Sequence, residues 1–288
     1  MTTEYSPPCP LCLSTRTVDY CSGAGDVRRE IPCSFRFFLC RDCRLRFQMS
    51  PMVDPTKLFE VQDQAKVRSK ASKRELRCDS DVLESFANMV NGRRLLDVGP
   101  GDGRFLESAK RDGWDCTGVD VSEQVAEYAR RRSGVDVVVG NLCQLKFPAG
   151  SFDVVNLDQV LSYVEDPVAL LAEVEHLLKP DGICRIREYD PDSVSALIAG
   201  GKYWMYCPTH LLIWSYRSIR KVATASGMKM MHIFPGTEAS LTAWLDTERN
   251  RSASKVLGGT LKFVLRKIGF LGFSVAADKV YYLHSATS

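Results

Sequence analysis

The spacing of apolar positions divides the chain into unlike stretches. Residues 1 to about 50 are rich in cysteine, proline and aromatics and show no helical period. A charged run follows at residues 66–74, which reads as a solvated linker or helix. From Asp81 the period becomes helical, with Val82, Leu83, Phe86 and Val90 on one face. After Gly92, short β-rich runs alternate with amphipathic segments. Strands are predicted at residues 94–98, 115–120, 135–139, 151–157 and 182–188, and helices at 104–111, 123–132 and 167–178. Val168, Leu171, Val174 and Leu178 form the apolar face of the last helix. The tail adds a helix at 216–226 and strands at 228–234 and 280–283. This alternation implies βαβ units and an α/β, doubly wound parallel sheet.

Composition narrows the class. The 288 residues are 45% hydrophobic and 25% charged, as in ordinary globular domains, and the net charge of +3 announces neither nucleic acid nor membrane. No apolar run approaches the roughly 20 residues that span a bilayer. Residues 1–10 are polar, unlike a signal peptide, so a cytoplasmic location is expected. In that setting 11 cysteines, an odd number, point to metal binding rather than a disulfide framework. Cys116, Cys143 and Cys184 lie in or beside apolar runs and read as small hydrophobes.

The chemistry begins at Asp97-Val98-Gly99-Pro100-Gly101-Asp102-Gly103, where a strand gives way to a helix. Open α/β sheets bind ligands at that edge. The third glycine comes one residue too early for a dinucleotide fingerprint, and position 104 is arginine, which argues against NAD. Asp120 ends the next strand, 17 residues after Gly103, where a carboxylate can accept the hydroxyls of a ribose.

Together with 147–155 (Phe-Pro-Ala-Gly-Ser-Phe-Asp-Val-Val) and 177–182 (Leu-Leu-Lys-Pro-Asp-Gly), these residues resemble the class I S-adenosylmethionine-dependent methyltransferases. The resemblance implies a seven-stranded Rossmann-like sheet with S-adenosyl-L-methionine as cofactor. It implies that the loop holding Asp97, Gly99, Gly101 and Gly103 binds the methionine part and Asp120 the ribose. Asn141 and Leu142 would lie along the adenine, and Asp158 would belong to the same cofactor site. The family often has a histidine after the fourth strand. This chain has Asp158-Gln159-Val160-Leu161-Ser162-Tyr163 there, so no such role carries over.

An alcohol or phenol acceptor needs a base to take its proton. The candidates are His210, Tyr163 and Glu188, with Asp190, Tyr203 and Tyr206 nearby. His210 equally suits a cap on the following helix. The segment 157–160 lacks the Asn/Asp-Pro-Pro-Tyr/Phe box associated with amino-group acceptors, and no Pro-Cys pair suggests cytosine chemistry.

Two Cys-x-x-Cys turns, Cys9/Cys12 and Cys40/Cys43, are separated by 27 residues. Two such turns complete a tetrahedral site for a structural zinc ion (Zn2+) with no open position. Zinc would then supply folding energy to a β-poor segment. The glycine that often follows such a pair is replaced by Leu13 and Arg44, and Cys21 and Cys33 are alternative ligands. The expected division is a zinc ribbon at 1–50, a linker and helical segment at 51–90, and a methyltransferase domain at 91–288.

Zinc ribbons on this fold imply either a small-molecule methyltransferase, of sugars for example, or an RNA methyltransferase. Phe35-Arg36-Phe37-Phe38 and Arg44-Leu45-Arg46-Phe47 could stack and pair with RNA, or simply form the ribbon's core. Residues 252–273 combine a broad apolar face with lysines and arginines and could pack on the sheet or rest on a membrane. The first expectation is methyl transfer to a hydroxyl or carbon of a small molecule, a sugar or glycan or secondary-metabolite precursor. RNA methylation and a cofactor-binding protein without turnover are the alternatives.

Overall fold

A computed structural model describes residues 6–24, 34–48, 73–203, 205–235 and 278–286. Its main sheet holds β4 (Arg94–Val98), β5 (Asp115–Asp120), β6 (Asp136–Val139), β7 (Phe152–Asp158), β8 (Leu178–Tyr189), β10 (Met228–Pro235) and β11 (Asp278–Ser285). Their order is β10-β11-β8-β7-β4-β5-β6, parallel except around β11, which runs antiparallel to both β8 and β10. The central strands are buried on both faces, which explains why Leu95, Leu96, Val154 and Val155 are consecutive rather than alternating apolar residues.

The chain runs outward from β4 through β5 to β6, then returns to place β7 on the other side of β4. That reversal opens a crevice beyond the carboxyl ends of β4 and β7.

Helices α1 (Lys73–Met89), α2 (Arg104–Arg111) and α3 (Glu123–Ser133) contribute to one core, where Leu83, Phe86, Leu106 and Ala129 join Leu95, Val137 and Ile183. Helices α4 (Pro167–Leu177) and α6 (Tyr216–Ala225), with the short α5 (Val194–Ala199) between them in the chain, pack into another core with Leu96, Val155 and Ile186, which α5 does not join. Local chemistry sets the helix ends. Ser122 caps α3 and Asp166 caps α4, with Pro167 in its first turn. Ser215 and Ser218 form a reciprocal capping box on α6.

The expected elements are present, but some boundaries differ. β8 starts at Leu178 rather than 182, where its pairing with β7 shifts register between Phe152 and Val154. β11 also extends beyond 280–283 because β8 and β10 pair with it on both sides.

The N-terminal segment corrects the β-poor expectation. β1 (Thr17–Ala24), β2 (Ser34–Cys40) and β3 (Arg46–Gln48) form an antiparallel meander. Its fourth strand, β9 (Leu212–Ile213), comes from far along the chain and pairs with β3. Phe38, Leu45 and Phe47 share a core with Leu157, Ile186 and Trp214 of the large sheet's side. Cys33, residues 66–72 of the charged run and residues 252–273 lie outside the described residues.

Candidate active site and metal centre

Gly99, Gly101 and Gly103 turn the chain out of β4 with φ of 69°, 53° and 72°. They are not equivalent. A Cβ on Gly101 would meet nothing within 4 Å, so backbone there is open to a ligand. A Cβ on Gly103 would come within 2.8 Å of Ala129 backbone, so this glycine lets α2 pack on α3. Asp120 ends β5, half-buried, and accepts a hydrogen bond from the Ser122 amide at 2.8 Å. Asn141 caps the short 3-10 turn Leu142–Gln144 through the Cys143 amide, while Leu142 is buried in the core.

Behind the loop lies a buried acidic network. Asp97 accepts from Asn156 at 2.7 Å, and Arg185 donates to Asn156 at 2.7 Å. Asp158 is held by Arg185 and Arg187, which keep its carboxyl low despite burial. Burial, offset in part by Asn156, raises the Asp97 carboxyl to about 7. Asp79 of α1 is raised to about 6 by burial, with Asp158 and Asp102 adding to it and Arg104 opposing. Its Oδ2 atom is buried with no hydrogen-bond partner among the described residues. An open glycine cradle beside buried carboxyls, one of them with an unpartnered oxygen, suits a ligand that carries an ammonium and a sulfonium. These residues therefore fit S-adenosylmethionine.

Just beyond the carboxyl end of β7 the structure joins two of the expected catalytic residues. Tyr163 OH lies 2.8 Å from His210 Nε2, and the rings are 4.9 Å apart. His210 Nδ1 lies 2.8 Å from the Met205 carbonyl, which can only accept. The proton is thereby fixed on Nδ1, and Nε2 presents its lone pair to the tyrosine hydroxyl. Ser162 donates to Glu188 Oε2 at 2.7 Å, while Glu188 Oε1 is buried without a partner among the described residues. Burial, opposed by the Ser162 bond, raises Glu188 to about 7.

Cys207, which sequence reasoning missed, lies 3.1 Å from His210 Nδ1. Its thiol is lowered despite burial, chiefly by His210, and His210 is raised in turn, Cys207 outweighing the effect of burial. The spacing Cys207-Pro208-Thr209-His210 was the available signal. The segment after β7 touches both groups: the Leu211 amide donates to the Ser162 carbonyl at 2.8 Å, and Val160 packs within 3.1 Å of a Cβ placed on Gly99.

At the metal centre, Cys9, Cys12, Cys40 and Cys43 bring four sulfurs within 4.8 Å of one another. Cys9 and Cys43 are 3.5 Å apart, and Cys12 and Cys40 are 3.6 Å apart. A tetrahedral zinc with bonds of about 2.3 Å calls for sulfurs roughly 3.8 Å apart. The two turns are built alike. Leu13 N donates to Cys9 O, and Arg44 N donates to Cys40 O. Cys9 N donates to Ser14 O, and Cys40 N donates to Leu45 O. Leu13 and Arg44 take φ of 58° and 63°, the left-handed conformation that glycine would supply without strain. The sulfurs fit a closed zinc site.

The aromatic and basic residues considered for RNA do not form an exposed platform. Phe37, Phe38, Leu45, Arg46 and Phe47 are buried, and Arg36 pairs with Asp19. Their alternation is the ribbon's packing against the larger sheet.

The fold defines the class: the seven-stranded sheet between Arg94 and Ser285 is that of the class I S-adenosylmethionine-dependent methyltransferases, and residues 96–186 carry its matching sequence. The family described as "Methyltransferase domain" matches those same residues. The chain is 32% identical over 115 residues to a ubiquinone biosynthesis O-methyltransferase of Actinobacillus pleuropneumoniae, covering 36% of this chain and 48% of that protein. It thus spans about half the length of that curated relative. An S-adenosylmethionine-dependent methyltransferase structure from Archaeoglobus fulgidus aligns at TM-score 0.52 and 20% identity, covering 80% of this chain and 99% of that one. The [4+2]-cyclase SpnF aligns at TM-score 0.51 and 22% identity, covering 76% and 84%. These structures share the fold. Among the described residues no helix is long and apolar enough to cross a membrane.

Proposed function

We propose that the protein transfers a methyl group from S-adenosylmethionine to a hydroxyl oxygen of a small molecule, a sugar or a glycan or secondary-metabolite precursor. The observation that carries this reading is the Tyr163–His210 pair, whose tautomer Met205 fixes. The curated relative, named for O-methyl transfer, supports a hydroxyl acceptor.

When bound, the cofactor supplies an electrophilic methyl on a sulfonium. The glycine loop, Asp120, Asn141 and Leu142 bind and orient it, and Asp79 and Asp97, once ionised, offset its positive charge. His210 Nε2 takes the acceptor's proton through the Tyr163 hydroxyl, which passes one proton on as it receives another. Tyr163 and His210 would thereby leave the acceptor oxygen free to take the methyl group that the bound cofactor would supply. Glu188 lies beside this pair and keeps the site's charge low while it holds its own proton.

Cys9, Cys12, Cys40 and Cys43 hold a structural zinc with no position left for substrate. Free thiols at Cys116, Cys143 and Cys184 suit a reducing compartment, so we place the protein in the cytoplasm.

The test is transfer of labelled methyl into a fractionated cell extract, with Asp120→Ala as the control for cofactor use. Label in small molecules, lost in the variant, supports the reading. Label in RNA overturns it. Cofactor binding without label in any fraction indicates a protein that binds and does not transfer.

A further inference from the structure

The loop that carries His210 is held by a residue from the opposite end of the sequence. Gln48 is the last residue of β3, 162 positions before His210. Its backbone amide donates to the Leu211 carbonyl at 3.0 Å, continuing the ladder between β3 and β9. Its side-chain nitrogen reaches the His210 carbonyl at 2.5 Å, the Cys207 carbonyl at 3.1 Å and the Pro208 carbonyl at 3.4 Å. Three carbonyl oxygens converging on one point repel each other and require a donor. A carboxamide brings two N–H groups there, and the all-acceptor surroundings fix which way the amide is turned.

We infer that Gln48 is a positioning residue for the reaction: it clamps residues 207–210, so that the zinc ribbon sets the aim of His210. The chain of contacts is continuous. Cys40 and Cys43 anchor the turn between β2 and β3. Ser215 donates to the Cys43 carbonyl at 3.4 Å, just after β9. Arg46, on the same face of β3 as Gln48, donates to Asp192 at 2.9 Å. Gln48 is the part of this contact that bears on the histidine itself. Loss of its donors leaves the carbonyls facing one another, and the loop relaxes away from Tyr163. Misplacement of a catalytic group by about 1 Å costs on the order of a hundredfold in rate.

The inference rests on the proposed reading only in taking His210 as the base, and its test separates the two. Gln48→Met keeps the length and removes the donors; Gln48→Glu keeps the shape and offers acceptors. In both variants, at unchanged zinc content, hydrogen exchange in residues 205–213 should speed up about tenfold or more. The His210 ring resonances, resolvable among only 4 histidines, should move toward those of an ordinary histidine. Transfer of labelled methyl into the small-molecule fraction of the cell extract should fall about tenfold to a hundredfold with cofactor affinity unchanged. If Glu restores what Met loses, or exchange and resonances match the wild type, the clamp is refuted. Should both variants unfold, the wild-type protein still decides: Gln48 side-chain amide protons protected from solvent support the clamp, and freely exchanging ones overturn it. Altered exchange in a protein that transfers no methyl to any acceptor would leave the clamp standing and remove the proposed function.

Discussion

On the proposed reading the site has a cofactor wall and an acceptor wall, and the two are built on different principles. The cofactor wall is local: Asp97 to Gly103 and Asp120 follow one another within two strands and one helix. The acceptor wall is assembled from distance. His210 meets Tyr163 across 47 positions and is held by Gln48 across 162. A local wall survives changes elsewhere, whereas an assembled one depends on every element that brings it together. Damage to the ribbon should therefore fall on transfer, and damage to the glycine loop on binding.

The largest effect is expected from metal removal. Cys40→Ser, or chelation, should unfold the ribbon and abolish methyl transfer, because binding energy at such sites is folding energy. Calorimetry should then show the larger sheet still taking up cofactor; loss of both would erase the contrast between the walls. Next comes His210→Gln, for which kcat should fall about a hundredfold or more while the cofactor Kd stays put. In the wild type, rate should rise with pH through a value above the usual 6.5, because His210 must lose a proton and its pKa is raised.

Asp120→Ala should do the reverse, weakening cofactor binding by roughly tenfold to a hundredfold, the range for hydrogen bonds to a charged group. Cofactor affinity itself should increase between pH 5 and 8. Asp79, raised to about 6, and Asp97, raised to about 7, become anions over that window and attract the cationic ligand. A flat titration curve would remove the acid network from cofactor binding.

The smallest effect has the opposite sign. Leu13 is exposed and left-handed, so Leu13→Gly should stabilise the holo protein by up to about 1 kcal/mol, read as a raised Tm.

Legibility in the sequence follows the same divide. The strands β4, β5 and β7, the glycine loop and the cysteine turns were readable because their signals lie within a few residues. The turns at Leu13 and Arg44 hid only their strain, since leucine and arginine do not announce a positive φ. Among the ribbon's strands, β3 was missed because it spans only three residues and finds its partner β9 beyond position 210. Cys207 and Gln48 were missed for a related reason. A thiol matters through the imidazole beside it, and a carboxamide through carbonyls that only the folded loop gathers. The aromatics at 35–38 could be read as an exposed stacking surface until the burial of Phe37 and Phe38 showed them to be core.

The central claim is that His210 takes a proton from a small-molecule hydroxyl during methyl transfer. Labelled transfer and cofactor binding measured side by side, for the wild type and His210→Gln, test it most directly. The account predicts label recovered as a methyl ether in the small-molecule fraction, nearly absent in the variant, with equal cofactor affinity in both. Undiminished transfer by the variant, or label recovered in RNA, would contradict it.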